Sequence, residues 1–190
     1  MLLPVIEKEI KKLFNAKSIV TMIFSKWVDN LVPIRKKDSE IILCVDFRNL
    51  NKVSLKDNYP LPKMDHILQK VVGDEMISTM DGFSGYNQIK VLPQEQEKTS
   101  FTKPWGNFLY ANVPFVLMNA GAMFQREMDI AFADENDKFV VIYMDDISIF
   151  SKSNREHVKH LEKVFLKCRK YGISLNPRKS NFSFKEGKLL

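Results

Sequence analysis

Two aspartates stand side by side inside an apolar run, Phe139-Val140-Val141-Ile142-Tyr143-Met144-Asp145-Asp146-Ile147-Ser148-Ile149-Phe150. Adjacent carboxylates repel, and taking them out of water costs several kcal/mol each unless a cation or hydrogen bonds compensate. Stability alone would not put the pair there. The apolar flanks predict a hairpin of two buried strands with the acids at its tip. A bound metal is one reading of that tip; an Asp-rich turn, common because Asp tolerates tight-turn backbone, is the other, and this stretch leaves both open.

A third carboxylate bears on the choice. Met76-Ile77-Ser78-Thr79-Met80-Asp81 reads as another strand ending in Asp, followed by the loop Gly82-Phe83-Ser84-Gly85 and then Tyr86. Two strand ends can bring Asp81, Asp145 and Asp146 together, and the interval between Asp81 and Asp145 has room for further strands and a helix. Two-metal phosphoryl transfer uses such a set, with carboxylates bridging two Mg²⁺ about 3.5–4 Å apart.

Periodicity supplies the surroundings. Ile6, Ile10, Leu13 and Phe14 recur at helical spacing and predict an opening amphipathic helix. A hairpin is expected from Val28 to Ile34 and Ile41 to Phe47, with a charged turn at 35–39. Ile67, Leu68, Val71 and Val72 mark a second helix after Pro60 and Pro62. Asn119 is the candidate cap of a third, through Phe124 and Met128. A fourth, capped by Ser153 or Asn154, is expected to pack Val158, Leu161, Val164 and Phe165 and to stop at Gly172. His157 and His160 fall on its predicted solvated face, without a third zinc ligand, and His66 is read the same way. The sum is an α+β domain, an antiparallel sheet carrying the acids with helices behind it.

Charge narrows the partners. The net charge is +6, and the last forty residues hold eleven Lys and Arg against three acids. A basic face for a nucleic-acid backbone fits this, as does a solubilised helix surface bearing Lys159, Lys163 and Lys167. Cys44 and Cys168 form no disulfide framework and fit a reducing compartment. Neither a signal peptide nor a membrane-spanning stretch is visible, so no membrane partner is expected.

Tyr143-Met144-Asp145-Asp146 resembles the catalytic box of reverse transcriptases. Around it, Leu43-Cys44-Val45-Asp46-Phe47-Arg48-Asn49-Leu50-Asn51, Asp57-Asn58-Tyr59-Pro60-Leu61-Pro62, Asp81 to Ile89, Lys98-Thr99-Ser100-Phe101 and Phe124-Gln125 are similar, in order, to blocks of the gypsy-type LTR retrotransposon polymerase. Met118-Asn119-Ala120-Gly121-Ala122 most resembles plant elements. The resemblance implies a right-hand polymerase with fingers about 1–56 and 89–119 and palm about 57–88 and 120–190. It implies RNA-directed DNA polymerase activity, with Asp81, Asp145 and Asp146 as catalytic ligands of two Mg²⁺, Mn²⁺ being a possible substitute. The implied partners are an RNA or DNA template with primer, dNTP, and the RNase H and integrase of an intact polyprotein. The implied setting is intracellular, in a cytoplasmic particle or the nucleus.

The same resemblance assigns a nucleotide site. Tyr86 would lie under the incoming sugar and exclude a 2′-hydroxyl, and the amides of Phe83, Ser84 and Gly85 would cradle phosphate oxygens. Lys36 and Arg48 match basic or polar positions of the fingers; Phe115, Gln125, Tyr143 and Met144 line the pocket. Two departures stand out. Ile42 replaces an Arg that clamps the triphosphate. Val116 replaces a Gly in Pro114-Phe115-Val116-Leu117, where a β-branched residue disfavours positive φ and a close backbone approach. The chain also stops at Leu190, where the family continues into the primer-gripping hairpin and thumb. The expectation is thus a polymerase fragment, weak or inactive in isolation. A non-catalytic nucleic-acid-binding remnant is the alternative; an RNA-dependent RNA polymerase is disfavoured by Tyr86 and the block order.

Overall fold

The computed structural model describes residues 3–35, 41–63, 69, 71, 73–83 and 85–184. In chain order the elements are α1 Leu3–Asn15, β1 Ile19–Met22, β2 Leu31–Arg35, β3 Ile41–Val45, α2 Arg48–Val53, β4 Met76–Gly82, α3 Pro93–Gln96, β5 Phe101–Lys103, β6 Gly106–Tyr110, α4 Ala120–Ala131, β7 Val140–Tyr143, β8 Asp146–Ser151, α5 Asn154–Tyr171 and β9 Leu175–Phe184. Contacts divide the chain into two units, one of Met1–Lys56 with Ile89–Ala120 and one of Asp57–Gln88 with Gly121–Leu190.

In the first unit, β2 pairs with β3 in the expected hairpin, although β2 begins at Leu31 and not Val28. A second sheet has the order β1-β6-β5. Ile6 and Ile10 of α1 join Ile19, Leu31, Leu43, Val45, Phe47, Leu50, Phe101, Phe108 and Tyr110 in one buried cluster. The opening helix therefore forms as its spacing predicts, with Phe14 left exposed.

The second unit is built on a four-stranded antiparallel sheet in the order β7-β8-β4-β9. Directly paired residues share a face, so the register sorts the side chains. Ser78 opposes Ile149 and Met80 opposes Ile147 on β4 and β8, while Val140 and Ile142 of β7 oppose Ile149 and Ile147. All of these are buried. They form the face covered by α5, as the contacts of Ser78 and Ser151 with His157 show. Ile77, Thr79 and Asp81 oppose Phe150, Ser148 and Asp146 on the other face.

Helix α5 begins and ends as its sequence predicts. The Ser153 side chain accepts from the Glu156 N–H at 3.4 Å, and Gly172 closes the helix in the left-handed region. Its buried stripe matches the predicted one in part: Val164 is buried and Leu161 half-buried as expected, but the stripe is rotated toward His157 and Cys168. His157, Val164 and Cys168 are buried, whereas Val158 is 58% and Phe165 43% exposed. The sheet offers two inward hydroxyls, Ser78 and Ser151, and a hydrogen-bonded His157 satisfies them where Val158 could not. The predicted second helix falls mostly outside the described residues, as does His66; Val71 is buried against Ile77, Val141 and Phe150. Among the described residues no helix is long and apolar enough to cross a membrane.

Candidate active site

Strand register brings the distant acids together. Asp81 is the direct cross-strand partner of Asp146, with Tyr143 on its other side, and the Gly82 N–H donates to the Asp145 carbonyl at 2.7 Å. Close packing of the loop on Asp145 explains two glycines. A Cβ at Gly85 would stand 3.0 Å from Asp145 Cβ and 3.4 Å from Phe124 Cζ; one at Gly82 would stand 3.3 Å from the Asp145 carbonyl oxygen. Tyr86 follows on a 3-10 turn, half-buried, edge-on to Phe124 at 5.6 Å.

The electrostatics are those of crowded negative charge. Burial raises the Asp146 carboxyl above the usual range, Asp145 and Asp81 add to this, and Lys179 opposes it. Burial also raises the Tyr86 phenol, with Asp145 and Asp146 contributing. Lys179 of β9 sets its ammonium 3.3 Å from Asp81 Oδ1, the cation 67% exposed and the acid 16%. Sequence reasoning missed Lys179, because one lysine in a basic tail carries no signal until β9 pairs beside β4.

Several predicted nucleotide contacts are engaged elsewhere. The Phe83 N–H donates to the Ser174 carbonyl at 2.9 Å, so this amide is not open to a phosphate. Gln125 is 0% exposed, and its Oε1 accepts from the Met144 N–H at 2.9 Å. It holds the acid-bearing turn from inside and does not line an open pocket; a Gln on the apolar stripe of Phe124 and Met128 was the available signal. Lys36 and Ser84 lie outside the described residues.

Arg48, Ile42, Phe115 and Val116 belong to the first unit. Arg48 is committed to Asp46 through Nε at 2.7 Å and Nη2 at 2.6 Å, which lowers the Asp46 carboxyl and raises the guanidinium. Ile42 is half-buried opposite Ile34, and Phe115 is exposed. Val116 does not take a left-handed backbone, contrary to the strain expected from replacing a Gly. It packs against the first unit's core, and its carbonyl accepts from Asn51 Nδ2 at 3.1 Å.

Residues 34–190 match the family described as Reverse transcriptase (RNA-dependent DNA polymerase). The chain belongs to the reverse transcriptase family. It is 34% identical over 187 residues to the retrovirus-related Pol polyprotein from transposon 412 of Drosophila melanogaster, across 95% of this chain and 15% of that protein. To the counterpart from transposon gypsy of the same species it is 38% identical over 126 residues, across 66% of this chain and 12% of that protein. This reverse transcriptase chain thus spans a small part of the length of the relatives it matches. The foamy viral protease-reverse transcriptase solved with an RNA/DNA hybrid has a TM-score of 0.89 to it at 24% identity, covering 98% of this chain and 25% of the other. The two share the α+β fold.

Reverse transcriptases generally depend on a divalent metal. Hard carboxylate oxygens from Asp81, Asp145 and Asp146 suit such a cation, which would offset both the burial and the carboxylate repulsion that raise the Asp146 carboxyl. As the side chains stand, no three His, Cys, Asp or Glu among the described residues form a ready-made metal group, and Asp81 is turned to Lys179.

Proposed function

We propose that this chain is the polymerase portion of a retrotransposon polyprotein, extending a primer 3′-hydroxyl with dNTP on an RNA or DNA template. The second unit, about 57–88 and 120–190, acts as palm, and the first, about 1–56 and 89–119, as part of the fingers. The observation that carries this reading is the pairing of Asp81 with Asp146 beside Asp145, in a chain of the reverse transcriptase family. The foamy viral relative's RNA/DNA hybrid supports the choice of template and primer, and the transposon relatives support the polyprotein setting; the RNase H and integrase of an intact polyprotein would lie elsewhere in it.

Asp81, Asp145 and Asp146 would hold two Mg²⁺, or Mn²⁺ in its place. When bound, the metals supply a lowered pKa at the primer hydroxyl and charge neutralisation at the leaving pyrophosphate. The chain's own residues do the rest. Gly82 and Gly85 let the loop close on Asp145 without a clash. Tyr86, braced by Phe124, presents a ring to the sugar and favours deoxynucleotides. Lys179 stands at Asp81 Oδ1 and would compete with a cation for that oxygen.

A second reading, a nucleic-acid-binding remnant without turnover, is favoured by one observation: Ile42 offers no cation, and Arg48 is spent on Asp46. Primer extension with dTTP on an oligo(dT)-primed poly(rA) template decides. The polymerase reading expects Asp145→Asn to lose about two to four decades in rate. It expects Ile42→Arg to improve nucleotide use about tenfold, the worth of a charge-assisted pair. Template binding without extension in the unaltered and Ile42→Arg proteins would leave the remnant reading.

A further inference from the structure

The turn from Tyr143 to Asp146 has a left-handed residue at Met144, φ 53°, a conformation that a non-glycine residue adopts only when its surroundings hold it. We propose that Gln125 is the positioning residue of this turn, and that Asp129 and Tyr59 fix the orientation in which it does so. The consequence for rate rests on the polymerase reading above; the geometry does not.

Three contacts lock the Gln125 amide. Its Oε1 accepts from the Met144 N–H at 2.9 Å, while Nε2 donates to Asp129 Oδ1 at 3.0 Å and to the Ile142 carbonyl at 3.3 Å. A carboxylate and a carbonyl only accept. Turning the amide over would set oxygen against both and the NH₂ against the Met144 N–H. Gln125 therefore grips the hairpin on both sides of Tyr143, one residue ahead of Asp145. At 0% exposure it has no water to exchange with, so each of these bonds is costly to leave unmade.

Asp129 is itself held. Its Oδ2 accepts from the Tyr59 hydroxyl at 2.8 Å. The Arg126 guanidinium lies 4.7 Å from the Tyr59 ring centre, and its Nη2 reaches both Asp57 oxygens at 2.9 and 2.8 Å. Gln125, Arg126 and Asp129 are all on α4. One helix thus ties the extended segment at 57–59 to the backbone that carries Asp145 and Asp146. This gives the Asp57-Asn58-Tyr59 stretch a mechanical role without any contact to substrate.

The test uses hydrogen exchange of the Met144 amide in the 190-residue chain, with three variants. Gln125→Met keeps length and removes both hydrogen-bonding ends; exchange should quicken roughly tenfold or more. Asp129→Leu should quicken it less. Asp129→Asn should stay near the unaltered protein, because its oxygen still accepts from Gln125 and its NH₂ can donate to Tyr59. In primer extension, Gln125→Met should lower kcat while leaving KM for dNTP nearly unchanged, and Asp129→Asn should again preserve both. Unchanged Met144 exchange in Gln125→Met, or Asp129→Asn behaving as Asp129→Leu, would overturn the proposal. Exchange that follows the pattern in a protein that never extends a primer would support the positioning role and sink the polymerase reading alone.

Discussion

Replacing His157 by Leu tests how α5 is fastened to the acid-bearing sheet. The ring is 0% exposed, 2.7 Å from Ser78 Oγ through Nε2 and 2.9 Å from Ser151 Oγ through Nδ1. Ser151 Oγ is also 2.8 Å from His160 Nδ1, and Ser78 Oγ accepts from the Ser183 N–H at 2.9 Å. One proton arrangement satisfies both hydroxyls and both His157 nitrogens: Ser78 O–H donates to His157 Nε2, His157 Nδ1–H to Ser151, and Ser151 O–H to His160 Nδ1. It requires both rings neutral. Leu is close to His in volume, so the loss is that of two hydrogen bonds, about 0.5–1.5 kcal/mol each or about 1–3 in total. For a chain of this size that is roughly 2–12 °C in Tm. The pH dependence has a definite sign. Burial lowers the pKa of both histidines, and in His160 it outweighs the opposing pull of Glu156. An unfolded histidine takes its proton near pH ~6.5, whereas the folded rings resist it. Their contribution is therefore full above that pH and lost as the pH falls through the lower folded values. Thermal melts from pH 8 to 5 should show an acid limb that His157→Leu weakens. A variant that melts with the unaltered protein and keeps the whole acid limb would refute the network's role.

Gly85→Ala should move Asp145, because the new methyl meets the Asp145 Cβ at 3.0 Å and no flexible chain end. Denaturant titration should give a loss of about 1–3 kcal/mol, and the primer-extension rate should fall about a hundredfold if the carboxylate is displaced by ~1 Å. The thiols should be inert: burial pushes Cys168 up to about 11 and raises Cys44 as well, so neither should react with a disulfide reagent at neutral pH until the protein is unfolded.

The acids were legible because each ends an apolar strand, and an apolar run cut off by Asp has few uses. The first helix and the β2–β3 hairpin were legible for the same reason, one face apolar and the turn charged. What was hidden depended on partners distant in the chain. His157 looked like a solvated residue because its burial is decided by Ser78 and Ser151, on two different strands. Gln125 looked like a ligand contact because nothing local reveals that Met144 turns a left-handed N–H toward it. Strand β9 carries Pro177 and polar residues and reads as a tail; it becomes a strand because the edge of β4 is there to receive it. Val116 invited a strain argument that its observed backbone does not bear out.

The sheet order has a consequence for the nascent chain. Both neighbours of β4 are made after it, β8 ending at Ser151 and β9 at Phe184. On the ribosome β4 therefore waits with both edges open while about seventy further residues are added, about 3–14 s at ordinary synthesis rates, and with one edge open until β9 is made. Its companions then arrive by long-range closure, the slow kind. For that interval Met76 to Met80, with Met76, Ile77 and Met80 uncovered, is a ribbon ready to pair with any other open edge, and neighbouring nascent chains on one message supply such edges. Chaperone dependence and loss to aggregates should follow translation density more than folded-state stability.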